Sequence, residues 1–403
     1  MAKRQEKVEN FFANNIFTFD SFCCDGQITD AYPFPGESPI KVIRVKADQK
    51  KAIRFAFASK VGLVRLNEDG SIAESNILGK LLAVKGHKIE NYLPFFERNG
   101  FLFPVSTKNY EAIGEIELQA IVERLQATLE LMSTITDMSR TSYEKIVRLI
   151  FFHLFSPVVE IEPKDDRYKY ISSKHTYTRF LESVDTLEKD ERLSDLFNNA
   201  SFTFQDTIGI ITINSEFVDA MLNQKPPEEK YDNDLFARVF KAYCAPRNSL
   251  TKKNAIFNDF IFRYLYEVGM VNHVDLNATY YYQNEVNKDN FSNVLKKVAL
   301  KVAKIIIRDE IDVNLRRVRP TYNIDKLEPA WKIDSLLSAL YFGLFYMRPG
   351  MEIYRRCANP KCSEFFLVSV SSQKKKYCCK ACMSRDMQAR HRAKVKKKEL
   401  ASQ

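Results

Sequence analysis

Four cysteines near the end of the sequence constrain its folding more than any other feature. Their spacing is Cys357-x4-Cys362-x15-Cys378-x3-Cys382. Two close cysteine pairs separated by such a spacer are typical of structural zinc sites, in which each pair supplies two thiolates to a tetrahedral ion. We therefore predict that these four cysteines bind one zinc ion. Because all four ligands would be thiolates, no coordination position stays open for a reaction, and the ion is expected to be structural.

The residues around the cysteines predict how this segment folds. Asn359-Pro360, inside the first pair, is a turn-forming dipeptide. Residues 365–370 have the composition of a strand, and residues 374–377 lead from a turn into the second pair. The second pair opens a predicted helix over residues 381–399. A knuckle, a hairpin and a helix whose first turn supplies two ligands form a treble-clef-like zinc module.

Two neighbouring residues compete with this ligand set. Cys379 stands next to Cys378 and forms an x2 pair with Cys382, so the sequence leaves open which of the two is the ligand. His391 offers a ring nitrogen, but it lies nine residues beyond Cys382 along the same predicted helix. The other three cysteines lie among apolar neighbours and are interpreted as small buried side chains: Cys23, Cys24 and Cys244.

The positive charge of the chain is concentrated in the same segment. The whole chain has a net charge of +10, whereas residues 355–403 alone contain 14 Lys and Arg against three acidic residues. The rest of the chain is therefore close to neutral. A neutral body with one basic end predicts a docking element for a polyanion near the C-terminus. A Lys-rich tail that is merely solvated is the alternative.

Nucleic acid, and DNA more than RNA, is the expected polyanion. Several cations on one helix beside a basic loop match the footprint of phosphate contacts. A zinc-stabilised module for protein interaction is the alternative function. The candidate nucleic-acid contacts lie in the loop before the second cysteine pair and in the helix after it: Lys374, Lys375, Lys376, Arg385, Arg390, Arg392, Lys394, Lys396, Lys397 and Lys398.

The C-terminal region also resembles a known family. Residues 331–398 are similar to the C-terminal zinc finger of the bacterial CGNR family, which is regarded as a family of transcription regulators. Met383-Ser384 stands where that family has Gly-Asn, and Arg385 is retained. The resemblance implies a DNA-binding transcription regulator. It rests on the following residues: Cys357, Pro360, Cys362, Phe366, Tyr377, Cys378, Cys382, Arg385, His391 and Arg392.

The rest of the chain predicts an α+β fold with a mostly helical body and a small N-terminal sheet. Residues 41–46 and 53–57 alternate apolar with basic or small side chains, as strands do. From Ile116 onward, apolar residues recur with a helical period. We predict three domains: an N-terminal α+β region (1–110), a mainly helical domain (111–350) and the zinc module (351–403).

The clearest amphipathic helix is predicted over residues 291–307. Its apolar stripe includes Val294 and Ile305. Four lysines occupy the opposite side, and a lysine face of this kind is more often a solvated surface than a binding site: Lys296, Lys297, Lys301 and Lys304.

Catalysis is not predicted, because no phosphate-binding glycine loop and no nucleophile elbow occurs in a chain with only 12 glycines. Arg148-x4-His153 has the spacing of an Arg-His ribonuclease motif found in some helical bacterial toxins and defence proteins. The four residues between them are all apolar, where such motifs usually place a polar one. We interpret His153 as a buried histidine and keep a helical ribonuclease as a third hypothesis.

The sequence favours an intracellular, cytoplasmic protein without a membrane partner. No apolar run is long enough to cross a bilayer, and no apolar stretch of the secretion-signal type follows the first charged residues. The body of about 350 residues is expected to bind a small-molecule effector or another protein, or to form a homo-oligomer.

Overall fold

The structure of the protein is a computed structural model that describes most of the chain. The described residues are 15–32, 38–58, 61–84, 88–136, 142–156, 158–162, 169–172, 177–183, 199–223, 233–269, 271–276, 279–281, 291–324, 327–347, 351–362, 364–369 and 375–401.

The described residues contain both helices and antiparallel strand pairs, which is an α+β architecture. The strands are β1 (Asn15–Ala31), β2 (Ile40–Ala58), β3 (Gly62–Leu66), β4 (Ile72–Glu74), β5 (Glu111–Gly114), β6 (Glu160–Ile161), β7 (Tyr170–Ile171), β8 (Ser201–Gln205), β9 (Ile210–Asn214), β10 (Val271–Val274), β11 (Thr279–Tyr281), β12 (Arg319–Asn323), β13 (Glu328–Lys332), β14 (Glu352–Arg356) and β15 (Phe365–Ser369). The helices are α1 (Ile77–Leu82), α2 (Ile89–Asn99), α3 (Glu115–Thr136), α4 (Tyr143–Phe155), α5 (Tyr177–Glu182), α6 (Ser215–Asn223), α7 (Asn233–Tyr243), α8 (Lys252–Glu267), α9 (Asn293–Asn314), α10 (Leu336–Tyr346) and α11 (Lys380–Ala401).

The contacts within the chain divide it into two compact units, and the three predicted domains stay a prediction. Unit 1 comprises Met1–Asp137, Val159–Ser172 and Glu310–Gln403, and unit 2 comprises Met138–Val158 and Ser173–Asp309. The predicted region 1–110 and the predicted zinc module 351–403 both belong to unit 1, because β14 contacts α3 and β15 contacts α1. The predicted helical domain 111–350 is shared between the units, since β5 pairs with β2 in the sheet of unit 1.

The main sheet of unit 1 is larger than the small sheet predicted from the sequence. Its strand order is β1-β2-β3-β4, with β5 also paired to β2. The two strands predicted within residues 41–57 are both parts of β2, which is 19 residues long and contains no Gly or Pro that would end it. Cys24 pairs with Ala47 whereas Phe22 pairs with Ala52. The residues of β2 between these pairs therefore bulge out of the ladder.

Helix α10 packs its aromatic residues against this sheet. The Phe342 ring centroid lies 4.7 Å from that of Phe17 on β1 and 4.9 Å from that of Trp331 on β13. The helix begins at Leu336 because the Ser335 hydroxyl caps it, accepting a bond from the Ser338 amide at 3.2 Å. Trp331, which precedes it, belongs to the β12–β13 pair.

A buried ion pair joins two helical segments of unit 1. Arg124 on α3 is 4% exposed and Glu310 near the end of α9 is fully buried. The Arg124 Nε donates to both carboxylate oxygens of Glu310, at 3.0 and 3.1 Å. Because the pair is buried, each charge depends on the other for compensation.

Unit 2 contains an antiparallel hairpin formed by β8 and β9. Asp206 organises its turn by accepting bonds from the amides of Ile208 and Gly209 at 2.7 and 3.0 Å. The other carboxylate oxygen of Asp206 accepts bonds from the Arg263 Nε at 2.7 Å and from the Tyr243 hydroxyl at 3.0 Å. The turn is thus fixed to helices α7 and α8.

Helix α9 is longer than predicted, and its buried face is rotated around the helix axis relative to the predicted apolar stripe. Leu295, Ala299, Val302 and Ile306 are at most 2% exposed, whereas Val294, placed in the apolar stripe by the sequence, is 50% exposed. Within the described residues, no helix combines the length and the apolar composition needed to cross a bilayer.

Candidate metal centre

Four sulfur atoms converge at one point, as the cysteine spacing predicted. The Sγ atoms of Cys357, Cys362, Cys378 and Cys382 all lie within 4.8 Å of one another. The Sγ of Cys378 is 3.8 Å from that of Cys362 and 3.5 Å from that of Cys382. Thiolates placed about 2.3 Å from a tetrahedral zinc ion are separated by about 3.8 Å. The geometry therefore fits a metal ion held by four sulfur ligands.

The first two ligands flank a tight turn that follows β14. The Cys357 amide donates to the Glu364 carbonyl at 2.9 Å, so the chain returns beside itself just after the turn. Asn359, which is 4% exposed, stabilises the turn because its Oδ1 accepts a bond from the Lys361 amide at 3.0 Å. Its Nδ2 donates to the Cys382 carbonyl at 3.3 Å. One asparagine thus connects the two halves of the site.

The last two ligands lie at the start of α11, but the strand pairing differs from the prediction. Cys378 stands just before α11 and Cys382 lies in its first turn. The sequence predicted a hairpin between the two cysteine pairs. Instead, β15 pairs with β14, the strand that precedes Cys357, and residues 375–379 form no strand. The link to the first turn is a bond from the Ala358 amide to the Lys376 carbonyl at 2.9 Å.

The two competing ligands lie outside the group of four. The Cys379 Sγ is 3.8 Å from that of Cys378, but the Cys379 side chain points to solvent. His391 is exposed on α11, and its nine-residue separation from Cys382 corresponds to about 13 Å along the helix axis. Within the described residues, neither side chain belongs to the convergent group.

The environment of the four thiols favours a bound cation. The centre packs against the buried side chains of Ile353, Phe366 and Val368. Burial raises the pKa of Cys378, and it raises the pKa of Cys382 to about 12. A positive charge beside these thiols favours their ionised form. A divalent metal supplies that charge, and the donor set of soft thiolates suits such a metal.

Helix α11 carries exposed basic residues away from the centre. Arg385, Arg392 and Lys394 are exposed, whereas Asp386 is 5% exposed. Asp386 accepts a bond from the Tyr377 hydroxyl at 2.7 Å and pairs with Arg390 at 2.8 Å. This small network fixes the first turns of α11 against the residues that precede it.

The basic residues of α11 occupy two sides of the helix. At about 100° per residue, Arg385 and Arg392 are separated by about 20° around the axis. Arg390 and Lys394 lie on the opposite side, about 170° away. Of the other predicted contacts, Lys375 and Lys376 are exposed in the loop before α11. The remaining ones, or their side chains, lie outside the described residues: Lys374, Lys396, Lys397 and Lys398.

Two residues that the sequence did not single out attach the cysteine-rich segment to α1. The Asn76 Nδ2 donates to the Phe365 carbonyl and to a Glu364 carboxylate oxygen, both at 2.7 Å. At Gly79, a Cβ atom would lie 1.9 Å from the same Phe365 carbonyl oxygen. An Asn before a helix suggests an N-cap, but Asn76 makes no capping bond in α1. No local signal indicated a contact with residues so far along the chain.

The third hypothesis gains no support from the geometry of α4. Arg148 and His153 are five residues apart, which places them about 140° apart around the helix. His153 is 1% exposed, and its Nδ1 lies 2.7 Å from the Leu149 carbonyl oxygen. A buried imidazole bonded to its own helix is not positioned to meet RNA.

Comparisons with known proteins assign no family to the chain. No family description, curated protein or solved structure matches it. The similarity of residues 331–398 to the CGNR zinc finger therefore stays an expectation from the sequence, and the conclusions about function depend on the geometry and charge of the chain itself.

Proposed function

We propose that residues 351–403 form a zinc-stabilised, treble-clef-like module that binds DNA, and that the protein is a cytoplasmic transcription regulator. The observation that carries this proposal is the juxtaposition of four convergent thiols with an exposed basic helix. The thiol group includes Cys382 in the first turn of α11. A metal held there fixes where the helix begins and in which direction it leaves the unit.

Zinc is the metal that these ligands suit best. Four sulfur donors in tetrahedral arrangement are typical of structural zinc, and iron–sulfur centres are the main competitor for such a set. The ion would have no open position for a water molecule, so its role would be to stabilise the fold. In a cytoplasm with reduced thiols, the cysteines stay available as ligands.

The distribution of charge around α11 favours the major groove of DNA. That groove is about 12 Å wide and admits an α-helix. A helix inserted into it has phosphates on both sides, which matches the two opposite rows, Arg385 with Arg392 and Arg390 with Lys394. The major groove of A-form RNA is too deep and narrow for the same contact. The arrangement of cations around α11 therefore favours DNA over RNA.

The side of α11 between the two rows would then face the bases. Ser384, Gln388 and His391 lie there, and all three are exposed. Their side chains carry both donors and acceptors for base edges. In this arrangement the arginines and Lys394 supply affinity, and these three residues supply sequence preference.

The metal is tested by measuring the zinc content of the purified chain by mass spectrometry. We expect about one zinc per chain in the wild type and a clear loss in Cys382→Ser. Cys379→Ser is the matched control, because that thiol lies outside the convergent group, and it should keep its zinc. A wild type that purifies without metal, or equal loss in both variants, would contradict the proposal.

DNA binding is tested by fluorescence anisotropy with a mixed-sequence duplex at about 50 to 200 mM salt. The variant Arg385→Gln/Arg392→Gln/Lys394→Gln should bind more weakly, with a slope of log affinity against log salt that is shallower by about 2 to 3. A control with the same loss of charge replaces three exposed cations of unit 1 by Gln: Arg44, Lys50 and Lys108. Equal behaviour of the two triple variants would count against α11 as the docking element.

A protein-interaction module is the second candidate, because α11 also exposes apolar side chains. Met383 and Met387 are 41% and 61% exposed and lie four residues apart on one side of the helix. Exposed methionines suit adaptable protein contacts. If neither the wild type nor the triple variant binds nucleic acid in a salt-dependent way, this second function is favoured.

A further inference from the structure

Helix α9 in unit 2 carries a second row of cations, far along the chain from the metal centre. Lys297, Lys301, Lys304 and Arg308 are all exposed. Their spacing of four, three and four residues places them within about 60° around the helix axis and spreads them over about 16 Å. With Leu300 and Ile305 they line one shallow depression.

This row lacks the acidic residues that normally accompany surface lysines. Residues 293–308 contain no Asp or Glu. Lys297–Lys301, Lys301–Lys304 and Lys304–Arg308 are therefore like-charge neighbours, each of which destabilises a helix by about 0.2–0.5 kcal/mol. A helix face that is merely solvated usually avoids such repulsion by interleaving acids. The pattern instead fits a surface that meets negative charge from outside the chain.

Three of the four cations in this row form no ion pair with a described residue. Asp309 pairs with Lys253 of α8 at 2.9 Å and with Arg308 at 2.8 Å. Within the part of the chain that the structure describes, no ion pair involves Lys297, Lys301 or Lys304. The positive charge of these three lysines is therefore available to a partner.

The buried face of α9 narrows the class of partner. A helix that inserts into a lipid surface needs its apolar face to be free. On α9 that face is occupied, since Leu295, Ala299, Val302 and Ile306 are at most 2% exposed. Helix α9 can therefore offer positive charge to a partner, but it has no free apolar face to insert into a lipid surface. Its straight row of long cationic side chains suits a regular, soluble polyanion such as a phosphate backbone.

We propose that the row Lys297–Lys301–Lys304–Arg308 is a second nucleic-acid contact, which binds phosphates without reading sequence. The inference rests on the proposed function for the identity of the ligand. It goes beyond that function because the row belongs to unit 2 and would act independently of the metal. Affinity for DNA would then come from both units, and sequence preference from α11 alone.

The test is DNA binding by the full chain carrying Lys297→Gln/Lys301→Gln/Lys304→Gln. Gln has a helix propensity close to that of Lys and removes the repulsion, so circular dichroism and thermal unfolding should show an intact fold. We expect the salt slope to be shallower by about 2 to 3 and the affinity at about 0.1 M salt to fall at least tenfold. The control is again the triple Gln variant of Arg44, Lys50 and Lys108.

The outcomes separate this inference from the proposed function. If the α9 variant keeps the wild-type slope of log affinity against log salt while the α11 variant has a shallower slope, the inference is refuted and the proposed function stands. If only the α9 variant loses binding, the α9 row is supported and α11 is not the docking element. A wild type that binds no nucleic acid refutes both.

Anionic vesicles provide the second arm of the test. Wild type and α9 variant are mixed with vesicles of equal parts phosphatidylcholine and phosphatidylserine. Loss of vesicle binding in the α9 variant, together with unchanged DNA binding, would overturn the inference and assign the row to a membrane surface. DNA binding that depends on the three lysines, with no vesicle binding by either protein, supports it.

Discussion

Replacing Asn76 tests how the cysteine-rich segment is attached to unit 1. Its side chain donates one bond to the Glu364 carboxylate and one to the Phe365 carbonyl, both at 2.7 Å. A bond to a charged group contributes about 1.5–3 kcal/mol and a bond to a neutral carbonyl about 0.5–1.5 kcal/mol. Asn76→Gly, which removes both bonds, should therefore lower the free energy of unfolding by about 2–4 kcal/mol.

The backbone at Asn76 adds a second, separable effect. Its φ of 57° and ψ of 48° are left-handed, a conformation that Gly adopts freely and that an L-residue with a plain Cβ adopts at a cost of about 1–2 kcal/mol. Asn76→Ala should thus be less stable than Asn76→Gly by about that amount. Asn76→Asp keeps the shape but replaces the donor by a carboxylate oxygen that faces two acceptors, so it should be at least as destabilised as Asn76→Gly.

Urea unfolding followed by tryptophan fluorescence measures these differences in unit 1. Trp331 is the only tryptophan of the chain, and it packs against Phe342 in that unit. With a slope of about 3 kcal/mol per molar urea, Asn76→Gly should lower the midpoint by about 1 M. The reasoning is wrong if Asn76→Gly unfolds at the wild-type midpoint, or if Asn76→Ala is the more stable of the two.

Three further predictions concern the Gly79 contact, the buried ion pair and the metal centre. Gly79→Ala should lower the unfolding midpoint, although Ala favours helices by about 1 kcal/mol over Gly, because the added Cβ would lie 1.9 Å from a backbone carbonyl of β15; a stabilised variant would refute the close contact. Glu310→Met should cost about 3–5 kcal/mol by removing the carboxylate that compensates the buried charge of Arg124, and Arg124→Met/Glu310→Met should recover most of that loss; a double variant as unstable as the single one would contradict this. Zinc affinity, measured by chelator competition, should fall more than tenfold as the pH drops from about 8 to about 6, because ligands such as Cys382, whose pKa is raised to about 12, must lose a proton to bind the metal; a pH-independent affinity would argue against thiolate ligands.

Short-range patterns allowed much of this protein to be predicted from its sequence. The spacing of the cysteines identified the four convergent thiols, because a knuckle and a helix start are local structures that bring near neighbours together. The helical period of the apolar residues also predicted the positions of α3 and α9, although it did not give the buried face of α9 correctly. In each case the pattern lies within one continuous segment of the chain.

Contacts between distant residues could not be predicted in this way. The β2–β5 pairing joins strands that are separated by β3, β4 and two helices. The Arg124–Glu310 pair depends on how the chain returns to unit 1 after passing through unit 2. The β14–β15 pairing replaced the predicted hairpin because Glu352 to Arg356 offered β15 a partner on the far side of the first cysteine. Asn76 illustrates the same limit, since its partners are 288 and 289 residues away.

The metal and the charge of α11 are physically connected. Arg390 and Lys394 are like charges four residues apart, as are Arg392 and Lys396, and such pairs weaken a helix that has no core to pack against. Forming the first turn of a helix is unfavourable in free energy, whereas adding further residues to an existing turn is not. A metal bound to Cys378 and Cys382, together with the Tyr377–Asp386–Arg390 network, would fix the first turns of α11. It would so supply the helix nucleus that the rest of α11, with its like-charge pairs, lacks.

Nucleic acid would act at the other end of α11, because phosphates beside the cations remove the repulsion that opposes extension of the helix. The centre and the polyanion would therefore stabilise the same helix from its two ends, and DNA affinity would depend on a metal that never touches the DNA.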